Sequence, residues 1–172
     1  GGGHLIAHNS VNLYGSISGG GSDYQIASVL IGNSASNNMI IKNNILSNTV
    51  VNSGSPTNHT YSSISIPFSA ATLAGMNLDL NNNAYYSTPN ASSAIAYGGT
   101  TRYLSANFFA NNNNAANNWR NFTTQIGRIT NDDHSLAFTT AAPFVSSTDL
   151  HITGVSTPLE SGGVFVGISQ DI

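Results

Sequence analysis

Apolar residues occur along this chain in short runs, separated by stretches rich in Asn, Ser and Gly. The clearest case is "MIIKNNILSNTVVNSG", Met39 to Gly54. Ile40, Ile41, Ile45, Leu46, Val50 and Val51 favour strand, whereas the Asn43-Asn44 pair between them belongs to the residues that strands exclude. Read along the whole chain, this alternation predicts strands near 4–8, 11–14, 25–31, 39–42, 45–51, 61–67, 76–80, 84–86, 93–97, 134–138 and 148–152, separated by Gly, Asn and Ser clusters. Between Asn107 and Thr130 the period changes. Trp119, Phe122 and Ile126, with Ala115 ahead of them, fit one or two helical turns, so a surface excursion carrying a short helix is expected near 115–127.

The runs repeat. "LIAHNSVNLYG" (Leu5–Gly15) lies over "IIKNNILSNTV" (Ile40–Val50) with an offset of 35, and "DLNNNAYYSTP" (Asp79–Pro89) lies over the latter with an offset of 39. The alignment superposes Ile6, Ile41 and Leu80, then Asn9, Asn44 and Asn83, then Val11, Leu46 and Tyr85. The shared pattern is apolar, two variable positions, Asn, one variable position, apolar. Short strands recurring with Asn at each bend indicate an all-β chain, a right-handed parallel β-helix whose coils stack about 4.8 Å apart. In that stack Asn9, Asn44 and Asn83 form an inward-facing structural ladder, each amide bonding the ones above and below. Asn also tolerates the left-handed backbone of a sharp bend. The Asn pair thus reads as architecture before chemistry.

Composition agrees with stacking. Charged residues are 6% of the 172, hydrophobic residues 40%, and Asn alone numbers 24. Like charges about 4.8 Å apart repel by roughly 3 kcal/mol at an effective dielectric near 20, so stacked positions favour neutral Asn, Ser and Thr. Four cations (Lys42, Arg102, Arg120, Arg128) and a net charge of −3 do not make a nucleic-acid surface. The chain has no cysteine, which removes disulfides and thiolate metal sites. No apolar run approaches the roughly 20 residues of a membrane-spanning helix. A start at Gly1-Gly2-Gly3 without Met suggests a piece of a longer polypeptide.

Several stretches resemble a known family. "IIKNNILSNTVVNSG" and "MNLDLNNNAYYSTP" are similar to coils of the pectate-lyase-like β-helix modules found in large exported bacterial surface proteins, notably those associated with type IX secretion. "WRNFTTQIGRITNDDHSL", followed by "APFVSSTDLHITGVSTPLESGG", resembles the closing coils of those modules. The chain stops at Gln170-Asp171-Ile172, short of the Asp-Gly stretch that usually follows. The resemblance implies that residues 1–172 are one β-helix segment, the C-terminal coils of a longer domain, at the cell surface or outside the cell. It implies no reaction.

The candidate chemistry is thin. The acids Asp23, Asp79, Asp132, Asp133, Asp149, Glu160 and Asp171 are scattered, and no aligned position repeats one. A lyase of such a fold needs a basic side chain to take a proton and several acids binding Ca²⁺. A glycoside hydrolase needs two carboxyls at a set separation, and the adjacent Asp132-Asp133 would point to opposite faces of a strand. The best groups for cation or glycan contact are Asp132, Asp133 and His134, and Asp149 with His151, whose alternation puts them on one face. Capping of turns and of nearby backbone amides is the favoured role for these residues. His4, His8 and His59 lie too far apart to suggest a shared metal site. Tyr85, Tyr86, Tyr97, Tyr103, Phe108 and Phe109 are expected to fill the core rather than stack on sugar. Asn58, Asn90 and Asn121 match the glycosylation pattern, as chance allows in so Asn-rich a chain.

The function expected is therefore a non-catalytic β-helix segment, adhesive or filament-building. The alternatives are a polysaccharide lyase or glycoside hydrolase fragment, and a glycan- or ice-binding solenoid. No cofactor is expected, Ca²⁺ being the one alternative the acids leave open. Neither end shows a polar cap: the first coil begins within three residues at "HLIAHNSVNLYG", and "GGVFVGISQDI" is apolar up to its final residues. The partners expected at the Leu5–Leu13 edge are accordingly adjoining coils of the parent polypeptide or stacked identical copies, with extracellular glycan as a further candidate.

Overall fold

A computed structural model describes residues 2–18, 24–52, 59–88, 93–104, 118–138, 144–152, 159 and 163–167. The chain is built mainly of parallel β-sheet. A first set of strands, β1 (Leu5–Ala7), β2 (Ser10–Leu13), β3 (Ser16–Ile17) and β4 (Tyr24–Leu30), is followed by a second, β5 (Ile40–Lys42), β6 (Ile45–Asn48), β7 (Val51–Asn52) and β8 (His59–Ile66). A third set comprises β9 (Asp79–Asn81), β10 (Ala84–Ser87) and β11 (Ala96–Gly98). After these come β12 (Thr101–Tyr103), the helix α1 (Trp119–Gln125) and β13 (Leu136–Phe138). Strands of one set do not pair with each other. β1 pairs with β5 and β5 with β9, while β2, β6, β10 and β13 form a second sheet in that order. β4, β8 and β11 form a third, extended by β12, and β3 pairs with β7. Among the described strands every pairing is parallel except the β11–β12 hairpin.

The register carries the core. Ile6, Ile41 and Leu80 are Cα partners in the first sheet, and Val11, Leu46, Tyr85 and Ala137 in the second. Val29, Ile64 and Ala96 are partners in the third. Ile41, Leu46, Leu80, Tyr85, Ile64 and Ala96 have no measurable exposure, and each buried large aliphatic chain contributes about 1.5–3 kcal/mol. Ile6 and Val11, one set earlier, are only half-buried.

Left-handed residues bracket the first sheet. Gly3, Asn38 and Asn77 precede it with φ of 73°, 51° and 51°, and His8, Asn43 and Asn82 follow it with φ of 58°, 58° and 55°. Asn fits because its short amide compensates locally for a conformation that costs most residues about 1–2 kcal/mol.

Three differences from the sequence reading have physical causes. The run 45–51 breaks at Thr49-Val50, because Asn48 turns inward. Its Nδ2 donates to the Ile26 and Ser62 carbonyls (2.7 and 3.0 Å), and its Oδ1 accepts the Val50 N–H at 3.1 Å. Residues 148–152 are not a strand. The Ser146 hydroxyl accepts the N–H groups of Thr148 and Asp149 and holds a turn, the competition that Ser and Thr offer to sheet ladders. Only Ile152 bridges to Phe144.

The third difference concerns the helix, which is not a surface excursion. Asn118 caps it by accepting the Arg120 and Asn121 N–H groups, and Trp119, Phe122 and Ile126 are buried. Trp119 stacks on Phe122 at 5.5 Å and meets Tyr103 edge-on at 5.3 Å. Beyond it, residues 127–132 cover the outer edge of β9. Asn131 accepts the Leu80 N–H and donates to the Leu78 carbonyl (3.0 and 3.1 Å), while Asp132 N–H reaches the Leu80 carbonyl at 2.7 Å. Gly127 lies so close to the Leu78 carbonyl that a Cβ there would overlap it. The core beside α1 and the β9 edge are thus covered from within the chain, while much of "GGVFVGISQDI", on which the expectation of an uncapped end rested, lies outside the described residues.

Candidate functional site

The Asn43-Asn44 pair divides two tasks. Asn43 makes the left-handed bend with its side chain outward, and Asn44 turns in. Asn44 Oδ1 accepts from both Asn9 N (3.1 Å) and Asn9 Nδ2 (3.0 Å), and Asn83 Oδ1 accepts from Asn44 N (3.1 Å) and Asn44 Nδ2 (3.0 Å). Asn44 Nδ2 also donates to the Ile6 and Lys42 carbonyls, both at 2.9 Å. Asn44 and Asn83 are each 1% exposed, while Asn9 is exposed. At the fourth position Ser135 replaces Asn and its hydroxyl accepts the Asn83 N–H at 3.0 Å.

Outward from the same bends, His8, Asn43, Asn82 and His134 line a groove of about 240 Å³ floored by Ile45, Ala84 and Leu136 and walled by Leu159 and Gly163. The segment 163–167 crosses one part of it. Asn43 Nδ2 donates to the Val164 carbonyl at 2.6 Å, and Asn43 Oδ1 accepts the Val164 N–H at 2.9 Å. This pair of bonds recognises extended backbone irrespective of side chain. Among the described residues its lining includes no carboxylate and supplies amides and imidazoles that can meet hydroxyl or peptide groups.

Asp132 and Asp133 part company. Asp133 is exposed and pairs with Arg120. Asp132 is 1% exposed at a left-handed residue (φ 57°), where its Oδ1 accepts the Tyr85 hydroxyl at 2.9 Å and its Oδ2 the Trp119 indole N–H at 2.8 Å. Burial pushes this carboxyl up to about 7, against the opposing pull of Ser135, Tyr85, Trp119 and Arg120. His134 is exposed, and its backbone N–H is taken by Asn81 Oδ1 at 2.8 Å. Asp149 and His151 do come together, Nδ1 to Oδ1 at 2.6 Å, on the surface, and this contact holds the Asp149 carboxyl below the usual carboxylate range. Among the described residues no three His, Asp or Glu side chains converge as metal ligands.

Sequence reasoning missed the role of Asp79. It sits on β9, 6% exposed, between Lys42 Nζ (2.8 Å) and Arg128 Nη1 (3.0 Å). The alignment of Ile40 with Asp79, two residues from Lys42, was the available signal. Tyr85, Tyr86 and Tyr103 are buried and Tyr97 half-buried, while Phe108, Phe109, Asp23, Glu160, Asp171, Asn58, Asn90 and the side chain of His59 lie outside the described residues. His4 and His8 are exposed, and Asn121 is on α1.

The buried carboxyl gives a pH prediction. Unfolded, Asp132 loses its proton near 3.8, and folded it keeps it to about 7. Between those values the native state holds the extra proton, so stability falls as pH rises, by roughly 1.4 kcal/mol per unit at most. Urea unfolding at about pH 4.5 and about pH 8 should show the higher midpoint at the lower pH, and Asp132→Asn should abolish that contribution. An unchanged slope in the variant would show that Asp132 is ionised throughout.

No protein-family model, no curated protein and no solved structure matches the chain.

Proposed function

We propose that the chain is a segment of right-handed parallel β-helix, a non-catalytic module, adhesive or filament-building, of an exported cell-surface protein. The observation that carries the solenoid reading is the amide row Asn9–Asn44–Asn83, which crosses three sets of strands at one corner while the sheets around it keep the same order. The right hand follows from the rule that about 98% of parallel crossover connections take it. The surface location rests on the resemblance of the coils and closing segment to exported modules, and the scarcity of charge suits it.

The non-catalytic reading is supported by what the four described acids do. Asp79 is neutralised by two cations, Asp133 is paired with Arg120, Asp149 is held by His151, and Asp132 is shut in behind Trp119 and Tyr85. An adhesive role would use the groove, whose amides suit glycan hydroxyls. Among the described residues the arrangement that favours a lyase is Lys42–Asp79–Arg128, a cation pair around a carboxylate on the outer face of the first sheet. Incubation with a panel of acidic and neutral polysaccharides distinguishes the two. Retention without new reducing ends or unsaturated products is the expected outcome; turnover that disappears in Asp79→Ala or Asp133→Ala would establish the enzyme instead.

A further inference from the structure

The amide ladder has a direction, and its open end specifies a partner. In each step the Oδ1 of one Asn accepts two donors, the backbone N–H and the Nδ2 of the Asn one set earlier. Asn9 has donated both of its groups, and among the described residues its own Oδ1 receives neither kind of donor. The strands beside it are in the same condition. Ile40 and Ile45 give their N–H groups to the His4 and Asn9 carbonyls, each at 2.8 Å. Their counterparts in register, Leu5 and Ser10, point the same way, off the edge of β1 and β2. Ile6 and Val11 lie there half-covered over the core.

We propose that this edge is the docking face for one further coil of the same pattern, apolar-x-x-Asn-x-apolar, running parallel to β1 and β2 and supplied by the parent polypeptide, with its Asn giving N–H and Nδ2 to Asn9 Oδ1. This rests on the β-helix reading above. A second copy of the chain does not meet the requirement. Stacked head to tail, it would bring an end where Asn83 N–H is engaged by Ser135, Asn83 Nδ2 by the Ile41 carbonyl, and the core is covered by α1. Placed edge to edge about a two-fold axis, it would run antiparallel and bring another Asn9 Oδ1 acceptor where the first Asn9 Oδ1 calls for a donor. The ladder therefore selects a coil over a copy at this edge.

The test lengthens the chain by a duplicate of residues 4–38 placed ahead of His4, which preserves the 35-residue register. The expected result is a higher urea midpoint than the unlengthened chain, with hydrogen exchange at the original Leu5 and Ser10 amides slowed about tenfold or more. Asn9→Asp within the duplicate, which replaces the amide donor by an acceptor, should lose most of both gains. A duplicate that leaves exchange at Leu5 and Ser10 unchanged would overturn the proposal, as would an Asp variant that gains as much as the Asn one. Light scattering gives an independent arm on the unlengthened chain. A monomer is expected, and association abolished by Asn9→Asp would show that copies do use this edge. Loss of the Ile6–Ile41–Leu80 neighbourhood in the unlengthened chain would instead refute the β-helix reading itself.

Discussion

Asn44→Ala is expected to destabilise the fold by about 4 kcal/mol, a large share of the roughly 5–15 kcal/mol that holds a typical domain together. The side chain is 1% exposed and serves five partners: Asn9 N and Nδ2 through its oxygen, and Ile6 O, Lys42 O and Asn83 Oδ1 through its nitrogen. Alanine leaves these without a substitute, and a buried polar group stripped of its partner costs about 1–3 kcal/mol. Asn44 itself is not left-handed, since that conformation belongs to Asn43, so backbone strain does not enter the comparison. Asn9→Ala removes chemically similar bonds from an exposed residue, and water replaces them, so less than about 1 kcal/mol should be lost. Urea midpoints of the two variants measure the difference. Equal losses would mean that the ladder is not selectively buried at its centre.

Trp119→Ala should cost about 3–5 kcal/mol, the range for truncating a fully buried aromatic ring. The indole has no exposed surface, stacks against Phe122, meets Tyr103 edge-on, and gives Asp132 one of its hydrogen bonds. Its loss opens the end of the core above Tyr85 and leaves the Asp132 carboxyl with a missing donor. Trp119→Phe keeps most of the apolar contact but not the N–H, and should fall between the two, at about 2 kcal/mol. A loss below about 1 kcal/mol in Trp119→Ala would return α1 to the surface and leave the end of the sheets uncovered.

What the sequence made legible was the repeat itself. Ile6, Ile41 and Leu80 align because they stack, and one apolar residue every second position on so short a strand leaves little freedom of register. The Asn pairs were legible as bends but not as a division of labour, because side-chain direction depends on which of the two takes the left-handed conformation. The fourth register was hidden. Ser135 follows Asn83 by 52 residues and is not Asn, so neither spacing nor identity advertises it. The helix was visible in Trp119, Phe122 and Ile126, yet helical periodicity does not say what the apolar face meets, and here it meets the end of the core. Asp132 was singled out for its neighbours Asp133 and His134. Its partners are Tyr85 and Trp119, 47 and 13 residues away, which no local pattern reveals.

The central claim is that successive sets of strands stack in parallel, each Asn bend over the last. Nuclear Overhauser contacts between backbone protons test it most directly. The expected pattern links Ile6 to Ile41 and Ile41 to Leu80, and links Val11 to Leu46, Leu46 to Tyr85 and Tyr85 to Ala137. No cross-strand contact should join Leu5–Ala7 to Ser10–Leu13 or Ile40–Lys42 to Ile45–Asn48, because strands adjacent in sequence never pair there. Hairpin contacts between those neighbouring strands, in place of the long-range ones, would contradict the account.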